Sequence, residues 1–123
     1  MKKIIILLLI SLSTLTYANC NDGYKRCVNE CNGVTSLFNY DGSRYIKSSD
    51  TDFQSKCEDS CRRGKRSCEY ESKLYDGCYE FKRKCRNECP SSIFSYSTGR
   101  YLYNTDANGK CEDSCSSGYR RCE

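Results

Sequence analysis

Apolar positions fall into two regimes. Residues 4–10 form an unbroken aliphatic run, Ile4 to Ile10, that weakens through Leu12 and Leu15. Beyond residue 18 the pattern is carried by cysteine. Cys20, Cys27 and Cys31 are offset by 7 and 11 residues, and Cys57, Cys61 and Cys68 by 4 and 11. A helix turns about 100° per residue, so such offsets return to one stripe. A strand would throw the odd offsets to its other face. Two helices are therefore expected around the first six cysteines. Cys78, Cys85 and Cys89, then Cys111, Cys115 and Cys122, repeat the pattern and predict two more.

Between each pair of helices the pattern shortens to alternation. Phe38 and Tyr40 lie before Asp41-Gly42, and Tyr45 and Ile46 after it; Phe94 and Tyr96 lie before Thr98-Gly99, and Tyr101 and Tyr103 after it. Each segment reads as a short β-hairpin or an aromatic loop. Asn32-Gly33 is a stop signal with a left-handed glycine. Pro90 disfavours helix after Cys89. Thr51 with Gln54 makes a capping box for the second helix, and Asp106 or Asn108 a cap for the fourth. Gly64 and Gly118 lie inside helical stretches, where glycine costs about 1 kcal/mol. Close approach of a helix or ring, or a local break, accounts for them.

The agreement between the two halves extends beyond cysteine. Lys56-Cys-Glu-Asp-Ser-Cys61 recurs as Lys110-Cys-Glu-Asp-Ser-Cys115, and Asn29-Glu30-Cys31 as Asn87-Glu88-Cys89. The chain is read as a duplication. Residues 19–70 form one cysteine-stapled helical hairpin, 71–77 a junction and 78–123 a second hairpin. The expected fold class is mainly α and disulfide-rich, with two tandem antiparallel helical hairpins. Whether they make one four-helix bundle or two beads is open at this stage.

Composition explains why staples are needed. Residues 1–18 have a positive start at Lys2 and Lys3, the apolar run, and Thr16-Tyr17-Ala18 with small residues at the cleavage positions. This is the build of a secretory leader removed after Ala18. The run is too short to span a bilayer, which takes about 20 residues. The remaining 105 residues hold only eleven Leu, Ile, Val or Phe. That is far below the ~20% at which chains tend to disorder. Aliphatic burial alone cannot offset the backbone entropy of such a chain. Twelve cysteines downstream of an export signal are the expected substitute.

Six cysteines allow 15 pairings. Antiparallel helices require partner numbers with a constant sum. Cys20–Cys68, Cys27–Cys61 and Cys31–Cys57 each add to 88, and Cys78–Cys122, Cys85–Cys115 and Cys89–Cys111 each add to 200. The shared register favours this nested set.

The twin C-x3-C arrangement of Cys27/Cys31 with Cys57/Cys61, and of Cys85/Cys89 with Cys111/Cys115, resembles the α-hairpinins. These are secreted helix–loop–helix peptides with two nested disulfides, and include antimicrobial peptides and serine-protease inhibitors. The resemblance implies a stapled helical hairpin. The chain departs from it in an outer third cysteine pair, a longer aromatic gap and duplication.

Charge and chemistry narrow the function classes. Without Lys2 and Lys3, 18 basic residues face 16 acidic ones, a net charge of +2. The signs are interleaved, as in Lys82, Arg83 and Lys84 beside Glu80 and Glu88. That argues against a nucleic-acid binder. The chain has no histidine, which removes Ser-His-Asp and Cys-His nucleophiles and His-containing metal sites. It has no C-x-x-C redox motif and no phosphate-cradling glycine loop. Glu58-Asp59 and Glu112-Asp113 read as solvated helical turns. A non-enzymatic, exported binding or structural protein without a cofactor is expected, its partner a protein or cell surface. The competing reading is a thiolate-lined bundle that sequesters Cu(I) or Zn; an oxidising compartment argues against it. The candidate contact residues are Tyr40, Arg44 and Tyr45 in the first gap and Tyr96, Arg100 and Tyr101 in the second, because Tyr and Arg dominate binding hot spots. The Phe side chains of the gaps, Phe38 and Phe94, are assigned to the core. Arg44 or Arg100 would be the specificity residue of an inhibitor.

Overall fold

The structure is a computed structural model that describes residues 19–40, 45–70, 76–103 and 105–123. The expected leader, Arg44 and most of the junction lie outside the described residues. The elements are α1 (Cys20–Gly33), β1 (Leu37–Tyr40), β2 (Tyr45–Ser48), α2 (Phe53–Tyr70), α3 (Asp76–Asn87), β3 (Ile93–Ser95), β4 (Arg100–Leu102) and α4 (Ala107–Cys122). The fold is mainly α and disulfide-rich. Both inter-helix gaps are β-hairpins, β1 paired with β2 and β3 with β4, each antiparallel.

Six disulfides join α1 to α2 and α3 to α4: Cys20–Cys68, Cys27–Cys61, Cys31–Cys57, Cys78–Cys122, Cys85–Cys115 and Cys89–Cys111. Their Cα–Cα distances stay between 5.6 and 5.8 Å. Three equal rungs spread over 11 residues of helix keep each stapled pair of axes side by side.

The cystines are also the core. Every cysteine but the half-buried Cys89 is buried, together with Leu37, Phe53, Phe81, Ile93 and Ala107. Neighbouring cystines touch within a copy, at Cys31–Cys61 (3.5 Å) and Cys89–Cys115 (3.7 Å). They also touch between copies, at Cys27–Cys85 and Cys68–Cys122, both 3.8 Å. Disulfide sulfurs carry no proton, so these are packing contacts rather than hydrogen bonds.

The copies pack into a four-helix bundle: α1 lies on α4 and α2 on α3. Both crossings are antiparallel. The amide of Asn19 donates to the Cys122 carbonyl at 3.1 Å, and Gly23 faces Gly118 one helical turn further in. Small residues let the backbones close. A Cβ on Gly118 would lie 2.7 Å from the Gly23 carbonyl oxygen and 2.8 Å from the Phe81 ring, and a Cβ on Gly64 would lie 2.8 Å from the Phe81 carbonyl oxygen. Gly64 and Gly118 thus mark close approach, and both helices run through them unbroken. Phe81 occupies the repeat position of Gly23 and fills the bundle centre between the two glycines.

Three local expectations change. Helix α1 ends at Gly33 without a left-handed residue, and Val34 follows in extended conformation (φ −86°, ψ 99°). Among the described residues, Gly99 is the glycine with positive φ, at 66°, and it closes the β3–β4 turn. The capping box at Thr51 and Gln54 is replaced by a shorter bond from the Phe53 amide to Thr51 Oγ1 (3.4 Å). Asp106 stands at the N-cap of α4, yet its carboxylate makes no cap bond. It accepts the amide of Phe38 instead, at 2.9 Å, while Asn108 donates to the carbonyls of Cys89 and Pro90.

Candidate functional site

Both hairpins sit at one end of the bundle, where each is tied to the other copy. In one direction Asp52 binds Phe94: the Phe94 amide donates to Asp52 Oδ1 at 2.7 Å, and the Asp52 amide donates to the Phe94 carbonyl at 3.1 Å. In the other, Asp106 binds Phe38 through the same two bonds, at 2.9 and 3.0 Å. Single bridges from Asn39 to Thr105 and from Thr51 to Ser95 extend the seam. The two aromatic gaps therefore present one composite surface.

The second hairpin carries an exposed ring cluster. Leu37 and Ile93 point inward and are buried, which turns the next residue on each strand outward. Phe38 is accordingly 47% exposed, and Phe94 is only partly buried. Neither is core; a one-residue shift of strand register separates this outcome from the expected one. Phe94 meets Tyr96 edge-on at 5.4 Å and Tyr101 at 5.2 Å between ring centroids, the geometry aromatic quadrupoles favour. Tyr96 and Tyr101 remain 61% and 56% exposed. Arg100 is exposed at the first position of β4.

The cluster is supported from below by α2. Lys56 lies 5.6 Å from the Tyr101 ring centroid, 3.4 Å from the Asp52 carboxylate, and donates to the Ser92 carbonyl at 3.4 Å. A cleft of about 370 Å³ separates the hairpins, bordered by Asn39, Asp50, Ser97 and Leu102.

Of the expected contact residues, Tyr96 and Tyr101 are brought together on Phe94, whereas Arg100, opposite Ser95 in the register, is exposed on the other face of the hairpin. Tyr40 and Tyr45 are opposite one another in the β1–β2 register, the last pair before the turn. Arg44 is outside the described residues. Sequence reasoning did not assign Tyr103, 70% exposed just past β4, although it continues the alternation of Tyr101. It also missed the partner of Asp52. The available signal is the repeat of Thr51-Asp52 as Thr105-Asp106, of which only Thr51 and Asp106 enter the expected caps.

The other candidate chemistry resolves into structure. Asp59 pairs with Arg62 at 2.9 Å and Glu112 with Arg86 at 3.3 Å, both at the surface. Sulfurs of Cys27, Cys61 and Cys85 lie within 4.8 Å of one another, as do those of Cys31, Cys57 and Cys61, and of Cys89, Cys111 and Cys115. All twelve cysteines are disulfide-bonded. Metal capture by sulfur requires thiolates, so the Cu(I) or Zn reading does not fit the oxidised chain.

Among the described residues no helix is long and apolar enough to cross a membrane. No protein-family model matches the chain, and neither a curated protein nor a solved structure matches it.

Proposed function

We propose that the chain is an exported, non-enzymatic binding protein that presents the hairpin end of its bundle to a protein or cell-surface partner. The carrying observation is the exposed ring cluster: Tyr96 and Tyr101 stand out into solvent on a base made by Phe94 and Lys56. Rigid amphipathic rings held by a stapled scaffold lose little entropy on contact. Export rests on the leader-like residues 1–18 and on the six disulfides, which form in oxidising compartments.

The test is saturable binding of labelled, fully oxidised protein to intact cells. The triple variant Tyr96→Ala, Arg100→Ala, Tyr101→Ala keeps the bundle core and is expected to bind at least about tenfold more weakly. Undiminished binding by this variant contradicts the assignment.

The α-hairpinin resemblance motivates a narrower form of the same reading, protease inhibition through Arg100. Stoichiometric inhibition of trypsin, lost on Arg100→Ala, supports that form; the absence of inhibition removes it.

A further inference from the structure

A second surface lies on the seam between α1 and α4. Arg26 from α1 and Ser117, Arg120 and Arg121 from α4 line one open cleft of about 410 Å³. Arg26 pairs with Glu30 at 3.0 Å. Among the described residues, no carboxylate stands within ion-pair distance of Arg120 or Arg121. Of the three guanidinium groups, Arg26 alone has a carboxylate partner among the described residues.

The duplication supplies an internal comparison. In the repeat, Lys84 takes the place of Arg26, Glu88 of Glu30, Arg63 of Ser117, Arg66 of Arg120 and Ser67 of Arg121. There Glu88 holds both Lys84 (3.1 Å) and Arg63 (3.7 Å). The α2–α3 seam therefore spends its carboxylate on two cations, and a serine replaces the last arginine. Both seams hold three cations to one carboxylate, but among the described residues the α2–α3 seam leaves Arg66 alone without an ion pair, whereas the α1–α4 seam leaves both Arg120 and Arg121.

We propose that this cleft binds phosphate or sulfate monoesters carried on a sugar-sized scaffold. Guanidinium forks match tetrahedral oxyanions in charge and in hydrogen-bond geometry. Ser117 adds a hydroxyl donor between the two helices. The cleft is larger than one oxyanion, which is why the ester's carrier is part of the assignment. It is independent of the hairpin surface.

The experiment is calorimetric titration of the full oxidised protein at low salt with two probes, a heparin hexasaccharide and inositol hexakisphosphate. Binding of the first assigns sulfate esters, and of the second phosphate esters. Arg120→Gln with Arg121→Gln is expected to weaken binding about tenfold or more. Arg63→Gln with Arg66→Gln removes the same charge from the equivalent seam and is expected to change it less than about twofold. Unchanged thermal transitions in both variants show that the bundle is intact. Binding of neither probe overturns the proposal. So does equal weakening by both variants, which would mean general charge attraction.

Discussion

The Phe94 amide and the Asp52 carboxylate meet at 2.7 Å, and the Asp52 amide returns a bond to the Phe94 carbonyl at 3.1 Å. A residue that opens a helix in one copy is thereby paired with a strand of the other. Asp106 and Phe38 repeat the exchange in the opposite direction. With the Gly23–Gly118 crossing and the Cys27–Cys85 contact, these bonds fasten the copies at both ends and in the middle.

Asp52→Ala leaves the Phe94 amide without its acceptor and frees Lys56 from its 3.4 Å ion pair. A part-buried donor left unpaired costs about 1–3 kcal/mol. Denaturant unfolding with disulfides intact is expected to show that loss, and Asp106→Ala a similar one. A change within about 0.3 kcal/mol would mean that water replaces the bond.

Gly118→Ala and Gly109→Ala should move stability in opposite directions. Both lie in α4. A Cβ at Gly118 meets backbone at 2.7 Å, whereas nothing lies within 4 Å of one at Gly109. Overpacking costs about 1–3 kcal/mol, while alanine in open helix gains up to about 1 kcal/mol. Thermal unfolding of the two variants distinguishes them by sign.

The pH dependence has two small components. Hydrogen bonds from Arg83, the closest 2.7 Å, hold the Glu80 carboxyl below its ordinary value. Its folded pKa is depressed, so its stabilisation is present above the unfolded value and lost as pH falls through the folded one. Wild type and Glu80→Gln are expected to converge in acid. Burial, followed by the nearby Glu123 charge, raises the Tyr119 phenol. That contribution is present below the unfolded tyrosine value and lost as pH rises through the folded one. An alkaline titration of tyrosine absorbance is expected to show a late-titrating phenol that is missing in Tyr119→Phe.

The sequence was most informative where chemistry and period coincide. Cysteines at offsets of 4, 7 and 11 defined the helices and their facing stripes, and the structure has the same six nested pairs. Gly64 and Gly118 were readable as close approach because the repeat carried both. Gly23 was not, because its repeat position holds Phe81. Phe38 was misplaced because adjacent strand residues face opposite ways, and alternation does not say which set is buried. The Asp52–Phe94 exchange joins residues 42 apart, and spacing within one copy carries no information about contacts between copies. The candidate site was half legible: tyrosine and arginine enrichment pointed to the hairpins, while the cleft at Arg120 and Arg121 appears only once α1 lies on α4.

Far-ultraviolet circular dichroism followed through full reduction, without denaturant, tests most directly whether cystines replace an aliphatic core. Among the described residues, eleven buried cysteines and only five other buried hydrophobic residues predict that the helical signal and the cooperative thermal transition are both lost as the disulfides open. A reduced chain that keeps its helix content and its transition would contradict that account.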